Sequence, residues 1–580
     1  MDETATTAKP TRDRRRRNAR RHSWRVKLAA VVLAPVLFLL LLEGVLRLLD
    51  AGHETDFFID APRSGFVASN PRYTWPYFGP RLGRPPIPIL LRTPKPTGTY
   101  RIFVFGASAA KGYPNDAFSF SRILEAMLRD RFPEARFEVV NTAVTAINSH
   151  VVLPIMRDCR RLEPDMYVVY VGNNEVIGPY GPGTIFTPFT DARWLIDLNR
   201  WIGSTRTGQL IRHLASGIGS GGSKRWQGME MFLDHAIRHD HPRLESTYTH
   251  YRANLLAMAD EAVRLGIPLL LSTVVTNDRD LAPFASRHRE DLGAGALREW
   301  TGHFEAGCTD EDARRYADAI ARFGDALAID DSHAGLHFRL GRCHLAAGDA
   351  EAGRRHLVRA RDLDVFRFRA DTRINEVIRA VAADRSGTVT LVDARAAAEQ
   401  NQAAGDGLAG SGLLHEHVHM NIRGNHVVAA LLFEKIVAHL PASIRGDDAA
   451  PAPVGAWKAA QLVGYTAFFR YDDALKVAKL TDGAPFTQEL AEFSAAEAKR
   501  HEGGLDRDVV KREVEAMRPI VEARPDDLLT RSNYTLLLMY VGRYREAIDH
   551  LSDMIERYPG YPGWIERRRV LAKMISGWRP

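Results

Sequence analysis

The chain has 580 residues, of which 45% are hydrophobic and 26% charged. These are values of a folded protein with room for several domains and they exclude a disordered or fibrous chain. Its net charge of +7 is misleading as a whole-chain figure: residues 1–27 carry ten Lys/Arg and three Asp/Glu, so the remainder sums to zero and the body is not expected to bind nucleic acid. Cys159, Cys308 and Cys343 match no metal-ligand spacing and no full disulfide framework, although one disulfide stays open outside the cytoplasm.

Behind the basic arm, Leu28 to Leu49 is an apolar run long enough to cross a bilayer as a helix. Its interior charges, Glu43 and Arg47, are i,i+4 partners near one end and can reach the interface together. The arginine-rich side should stay cytoplasmic, which places the bulk of the chain outside. A cleaved signal peptide is the competing reading; it is disfavoured because Leu49-Asp50-Ala51 is a poor processing site. Eight of the 30 prolines follow between residues 71 and 96, which predicts a stiff, extended connector.

Strand-like runs come next, at 101–105, 137–140, 166–171, 267–275 and 389–393. Helical patterns such as Ser119 to Arg131 and Tyr248 to Leu265 lie between them. That alternation predicts an α/β domain with a parallel sheet covered on both faces. Ser108 stands just after the first of these strands, in Gly106-Ala107-Ser108-Ala109, where open α/β sheets build their sites. A serine hydroxyl becomes nucleophilic only when a base takes its proton. Candidates for the supporting groups follow the later strands: Asn141-Thr142-Ala143-Val144-Thr145-Ala146, then Gly172-Asn173-Asn174-Glu175, and last His415-Glu416-His417-Val418-His419.

In this order the blocks resemble those of the SGNH (GDSL-type) hydrolases, over about residues 100 to 440. Gly106 to Ala109 is similar to the family's Gly-Asp-Ser-Leu, with Ala107 and Ala109 departing from it. Ala146 stands where the family has an oxyanion glycine. Gly172 to Glu175 is similar to Gly-x-Asn-Asp, and Glu416 to His419 to Asp-x-x-His with glutamate for aspartate. The resemblance implies a flavodoxin-like three-layer α/β/α fold, with Ser108 as nucleophile, His419 as base and Glu416 as the acid that orients it. The implied oxyanion hole is the Ser108 and Ala146 backbone N–H groups and the Asn174 amide. Each residue also has a plainer reading. A lone serine after a strand is usually a helix N-cap, and a lone asparagine a turn residue. His415, His417 and His419 would share one face of a strand and could bind a metal, but no acidic or cysteine cluster completes a site. No metal and no cofactor are therefore expected.

Residues 176–247 interrupt the strand–helix rhythm with an amphipathic stretch, Ala192 to Leu214, and a Gly/Ser-rich segment, Ser216 to Ser223. A lid over the site and a surface insertion away from it are equally open. Ala319, Phe323 and Ala326 recur 34 residues later as Gly353, Leu357 and Ala360, with Leu340-Gly341 between them. Pro525 and Pro559 are also 34 apart. Both patterns are similar to tetratricopeptide repeats, which stack into surfaces for protein partners.

The expected organisation is thus a basic cytoplasmic arm (1–27), a transmembrane anchor (28–49), a proline-rich linker (50–99) and a hydrolase domain in two parts (100–308 and 366–441). Inserted repeats (309–365) divide that domain, and an all-α repeat region (456–580) follows it. The expected function is a membrane-anchored serine esterase, hydrolysing or transferring a small acyl group on an extracytoplasmic glycan or lipid. The alternative is an inactive scaffold whose repeats recruit envelope-assembly partners.

Overall fold

The computed structural model describes residues 12–187, 189–218, 228–402, 405–446 and 452–575. The first eleven residues of the basic arm and part of the Gly/Ser-rich Ser216–Ser223 segment lie outside the described residues.

The chain divides into two units. The first comprises residues 1–55 and 194–222. Its core element is a long helix, Arg12–Leu48, whose Val31–Leu48 stretch has a mean hydropathy of 2.3 and is unburied along its length. That stretch has the length and composition of a membrane span or of a signal sequence. Two shorter helices, Arg193–Ser204 and Arg206–Ile218, form a hairpin, the second of which packs on the long helix.

The second unit comprises residues 56–193 and 223–580. Residues 50–99, expected as an extended connector, instead hold an antiparallel sheet of β1 (Phe58–Asp60), β2 (Phe66–Ser69) and β3 (Leu90–Arg92). The physical reason is the apolar content between the prolines: Phe57, Phe58, Val67, Tyr73, Tyr77, Phe78, Ile87 and Leu91 are all buried. Enough apolar surface leaves water to outweigh the stiffness of the proline-rich segments.

The main sheet holds β4 (Thr99–Gly106), β5 (Arg136–Asn141), β6 (Met166–Tyr170), β7 (Leu269–Ser272) and β8 (Val389–Val392). All pairings are parallel and the order is β5-β4-β6-β7-β8. Every residue of β4, β6 and β7 is buried, as expected of strands covered on both faces. In order of appearance this is 2-1-3-4-5, the flavodoxin-like arrangement. The chain reverses its direction of travel across the sheet between β4 and β6, and a crevice at the carboxyl ends of those two strands is where such sheets bind ligands.

Between β7 and β8 the chain builds four consecutive helices, Ala294–Asp312, Tyr316–Ile329, Ala334–Ala346 and Ala350–Leu363. Ala319, Phe323, Ala326, Leu336 and Leu340 fill the first part of their core and Leu357 and Ala360 the second. After the Ile422–His439 helix, seven more helices run from Ala456 to Ile575. Their core is continuous with Ala117 and Phe118 beside the main sheet, and Arg122 pairs with Asp527. Cys159, Cys308 and Cys343 are all unpaired.

Candidate active site

β4 ends at Gly106, where a Cβ would come within 2.3 Å of the Tyr170 carbonyl oxygen and 2.5 Å of Ala110 Cβ. Only glycine allows strand and turn to approach this closely. Ser108 opens a single helical turn, Ser108–Lys111, closed by Gly112 at φ +101°, whose N–H donates to the Ser108 carbonyl over 3.0 Å. Asn141, at the end of β5, clamps that turn: its amide donates to the Ala110 carbonyl (2.8 Å) and to Ser121 Oγ (2.9 Å). The Ser108 side chain is half-buried.

The loop after β5 carries Ala146 at φ +64°, in the left-handed region. A methyl-bearing residue pays roughly 1–2 kcal/mol there, whereas glycine does not. The alanine at this position therefore strains the backbone. Asn174 follows β6, and its amide donates to the Ile147 carbonyl at 3.1 Å, next to Ala146. Since β4 lies between β5 and β6, Ser108, Ala146 and Asn174 all leave the carboxyl ends of adjacent strands, flanking the crevice.

Residues 413–421 form a tight loop in which His415 N–H donates to the His419 carbonyl (2.8 Å) and Asn421 N–H to the Leu413 carbonyl (3.0 Å). Glu416 is fully buried at its tip and accepts the His417 and His419 backbone N–H groups, each at 2.9 Å. The same carboxylate accepts from His419 Nδ1. Structure thus brings Glu416 and His419 together and turns Val418 into the core, where it is buried. A carboxylate on Nδ1 fixes the tautomer that leaves Nε2 free to accept a proton. His419 Nε2 is buried and has no hydrogen-bond partner. Burial pushes the His419 imidazole down to about 3 and His415 to about 4, so both rings are neutral near pH 7.

The loop that carries His419 is held from several directions. Asn277, in the loop after β7, donates its N–H to the His417 carbonyl at 2.9 Å. Asn425 accepts from Phe120 N–H (2.9 Å) and donates to the Met420 carbonyl (2.8 Å). Tyr113 lies five residues beyond Ser108, donates its N–H to the Ser108 carbonyl over 3.4 Å, and sets its ring 4.8 Å from that of His419. Its hydroxyl donates to the Lys476 carbonyl (3.1 Å), in the C-terminal helices. Tyr113 is the link between Ser108 and His419; among the described residues no hydrogen bond joins Ser108 Oγ to His419 Nε2.

Three features were not anticipated from sequence. His417 also turns Nδ1 to the Glu416 carboxylate, within a cage of Phe284 (5.6 Å between ring centres), Phe486 (5.9 Å) and Phe368 (6.3 Å). Glu416, His417 and His419 thereby present ligand atoms within 4.8 Å of one another, close enough to hold a metal ion, although no metal had been expected. A His419 Nδ1 that donates to Glu416 is not free to coordinate, so metal binding and base orientation compete for the same atoms. Glu175, beside Asn174, accepts from Ser149 N–H (2.9 Å) and Oγ (2.7 Å) at the start of the Ser149–Cys159 helix, and burial pushes it up to about 7. Asp278 is buried between Arg361 (3.1 Å) of the last inserted helix and Arg395 (2.7 Å). Adjacent residues thus dock the inserted repeats and hold the His417 carbonyl. Only the Glu416–His419 spacing carried a sequence signal for this part of the molecule.

A cavity of about 740 Å³ lies elsewhere, bounded by β3, β5 and residues 523–529, and is lined by none of the five candidate residues.

Residues 312–369 match a tetratricopeptide repeat family model. No curated protein sequence matches the chain. Among solved structures, it is similar to a GDSL-like lipase from Bacteroides thetaiotaomicron (10% identity over 59% of this chain and 89% of that chain, TM-score 0.26). An acetyl xylan esterase gives 12% identity over 58% and 99%, with a TM-score of 0.27. A lipase/acylhydrolase from Enterococcus faecalis gives 14% over 59% and 97%, with a TM-score of 0.24.

Proposed function

We propose that the chain is a membrane-anchored serine esterase acting outside the cytoplasm on a small acyl group of a glycan or lipid. The observation that carries this reading is the buried Glu416–His419 pair, which leaves one imidazole nitrogen unpartnered in a loop linked through Tyr113 to Ser108. In the proposed reaction, Ser108 Oγ attacks the ester carbonyl carbon while His419 Nε2 takes its proton. The tetrahedral oxyanion is met by the Ser108 and Ala146 N–H groups and the second N–H of the Asn174 amide. Collapse breaks the bond to the leaving alcohol, which receives the proton from His419. Water or an acceptor hydroxyl, deprotonated by His419, then releases the acyl group from Ser108. One oxyanion donor of this kind is typically worth about 10²- to 10³-fold in rate. The anchor is the Val31–Leu48 stretch, with the arginine-rich side in the cytoplasm, and the tetratricopeptide repeats would present the enzyme to a protein partner.

Two observations favour the second reading, an inactive scaffold: among the described residues no hydrogen bond joins Ser108 to His419 Nε2, and Ala146 is strained where a glycine would not be. A fluorophosphonate probe on the detergent-solubilised full chain separates the two. Labelling of wild type and not of Ser108→Ala is the result expected of the esterase. Folded protein that takes no label is the result expected of the scaffold.

A further inference from the structure

The Arg193–Ser204 helix carries Trp194, Leu195, Leu198, Trp201 and Ile202 on one stripe, at i, i+1, i+4, i+7 and i+8, and all five are exposed. A stripe of that spacing is what a helix ordinarily turns into a core. Here both tryptophans are about 65% exposed, at 65% and 64%. Ile211 and Leu214 of the following helix are exposed as well.

The hairpin bearing this face is well built. Arg212 donates to the Asn199 carbonyl (2.8 Å) and side chain (3.0 Å), its guanidinium filling the space over Gly203. It is also fixed to the long helix at one level. Glu43, five residues before Leu48, accepts from Arg206 N–H (3.1 Å), Thr207 N–H (2.8 Å) and Thr207 Oγ1 (2.9 Å). Gln209 exchanges two hydrogen bonds with the His53 backbone (2.9 and 3.0 Å), and Arg206 reaches Glu54 at 2.6 Å. The free N–H groups of a helix start, together with Arg47 (2.8 Å), thus satisfy the carboxylate in the apolar stretch, and they do so at its end rather than its middle.

The geometry points to a lipid surface as the occupant of this face: the Arg193–Ile218 hairpin lies in the interface of the membrane that the Val31–Leu48 helix crosses. This rests on the anchor reading above. An unpartnered apolar stripe clamped beside the end of a span sits at headgroup depth, where tryptophan side chains are favoured. Arg193, Arg200, Arg206 and Arg212 against Asp197 give the hairpin the positive charge that suits anionic headgroups. The amphipathic stretch is then a second membrane contact that sets the tilt of the anchor.

The test uses the full chain reconstituted in nanodiscs of phosphatidylcholine and phosphatidylglycerol, with and without brominated acyl chains, reading tryptophan fluorescence. In wild type, brominated lipid should quench Trp24, Trp194 and Trp201, and Trp194→Phe/Trp201→Phe should lose the larger part of the quenchable emission. Incorporation with an unchanged quenchable fraction in that variant overturns the hairpin proposal and leaves the anchor standing. If the mature chain proves by mass to lack the first helix yet shows Trp194/Trp201-dependent quenching on vesicles of the same lipids, the anchor falls and the hairpin stands. Shielding of both tryptophans by a second copy of the chain, without bromine quenching, overturns the lipid assignment.

Discussion

The nucleophile side of the candidate site and the base side are built in different ways. Ser108, Ala146 and Asn174 stand within a few residues of strand ends, and their positions follow from the pairing of β4 with β5 and β6 and from a glycine that admits the close approach. His419 and Glu416 lie well beyond β8 in sequence, in a loop held by Asn277, Asn425, Tyr113 and the cage around His417. One half depends on the sheet; the other depends on two helical arrays that the sheet does not contain. The comparison teaches that the repeats are part of the support of the site as well as a candidate docking surface.

The largest effect should come from the base side. Glu416→Gln removes the charge that orients His419, and an esterase should lose about 10²- to 10⁴-fold in kcat with KM little changed. Glu416→Asp should recover most of that loss. Turnover of a small chromogenic ester measures both, and an undiminished rate in the Gln variant would break the assignment.

Next comes the support of that loop. Asp278→Asn leaves Arg361 and Arg395 without their shared buried partner and should cost about 3–5 kcal/mol of stability. Chemical denaturation with separate probes on the inserted helices and the sheet would show whether the two lose stability together, as the shared dependence requires.

Glu175 sharpens the comparison from the other side through pH. Its carboxyl is raised by burial to about 7, so the folded state keeps a proton that the unfolded state releases near pH 4.5. Its contribution to stability is therefore intact below pH 4.5 and is lost as pH rises through 7. A shift of this size corresponds to about 3 kcal/mol at most. Glu175→Gln should match wild type at pH 4.5 and exceed it at pH 8, as denaturation midpoints at the two values will show. Equal midpoint differences at both would mean that Glu175 titrates normally.

The smallest effect is at Ala146. Glycine there should relieve the left-handed backbone and raise stability by about 1 kcal/mol, offset in part by the greater freedom of glycine in the unfolded chain. An esterase should keep or gain rate in Ala146→Gly, since the N–H donor is retained.

The same division explains what was legible in the sequence. All five strands of the main sheet could be read because β-prone runs separated by helical periods leave a local signature, and the 34-residue spacing exposed the repeats for the same reason. The antiparallel sheet of residues 58–92 was hidden because prolines dominate the local signal, while the buried aromatics between them report only on tertiary packing. His417 and Asp278 were missed because their roles come from Phe486 and Arg361, which are distant in the chain. No local pattern marks such pairs.

Ser69 and Tyr558 exchange hydroxyl contacts across 489 residues, with Ser69 Oγ and Tyr558 Oη 3.0 Å apart and the tyrosine hydroxyl also donating to the Ser69 carbonyl. Strand β2 is therefore among the first parts of this unit to be made and among the last to be completed. During synthesis at about 5–20 residues per second, its apolar side waits for most of the chain to follow. Contacts of such sequence separation slow folding and leave early segments exposed to aggregation. A chain that stops short of Tyr558 would leave the Ser69 end of this central strand without its distant partner.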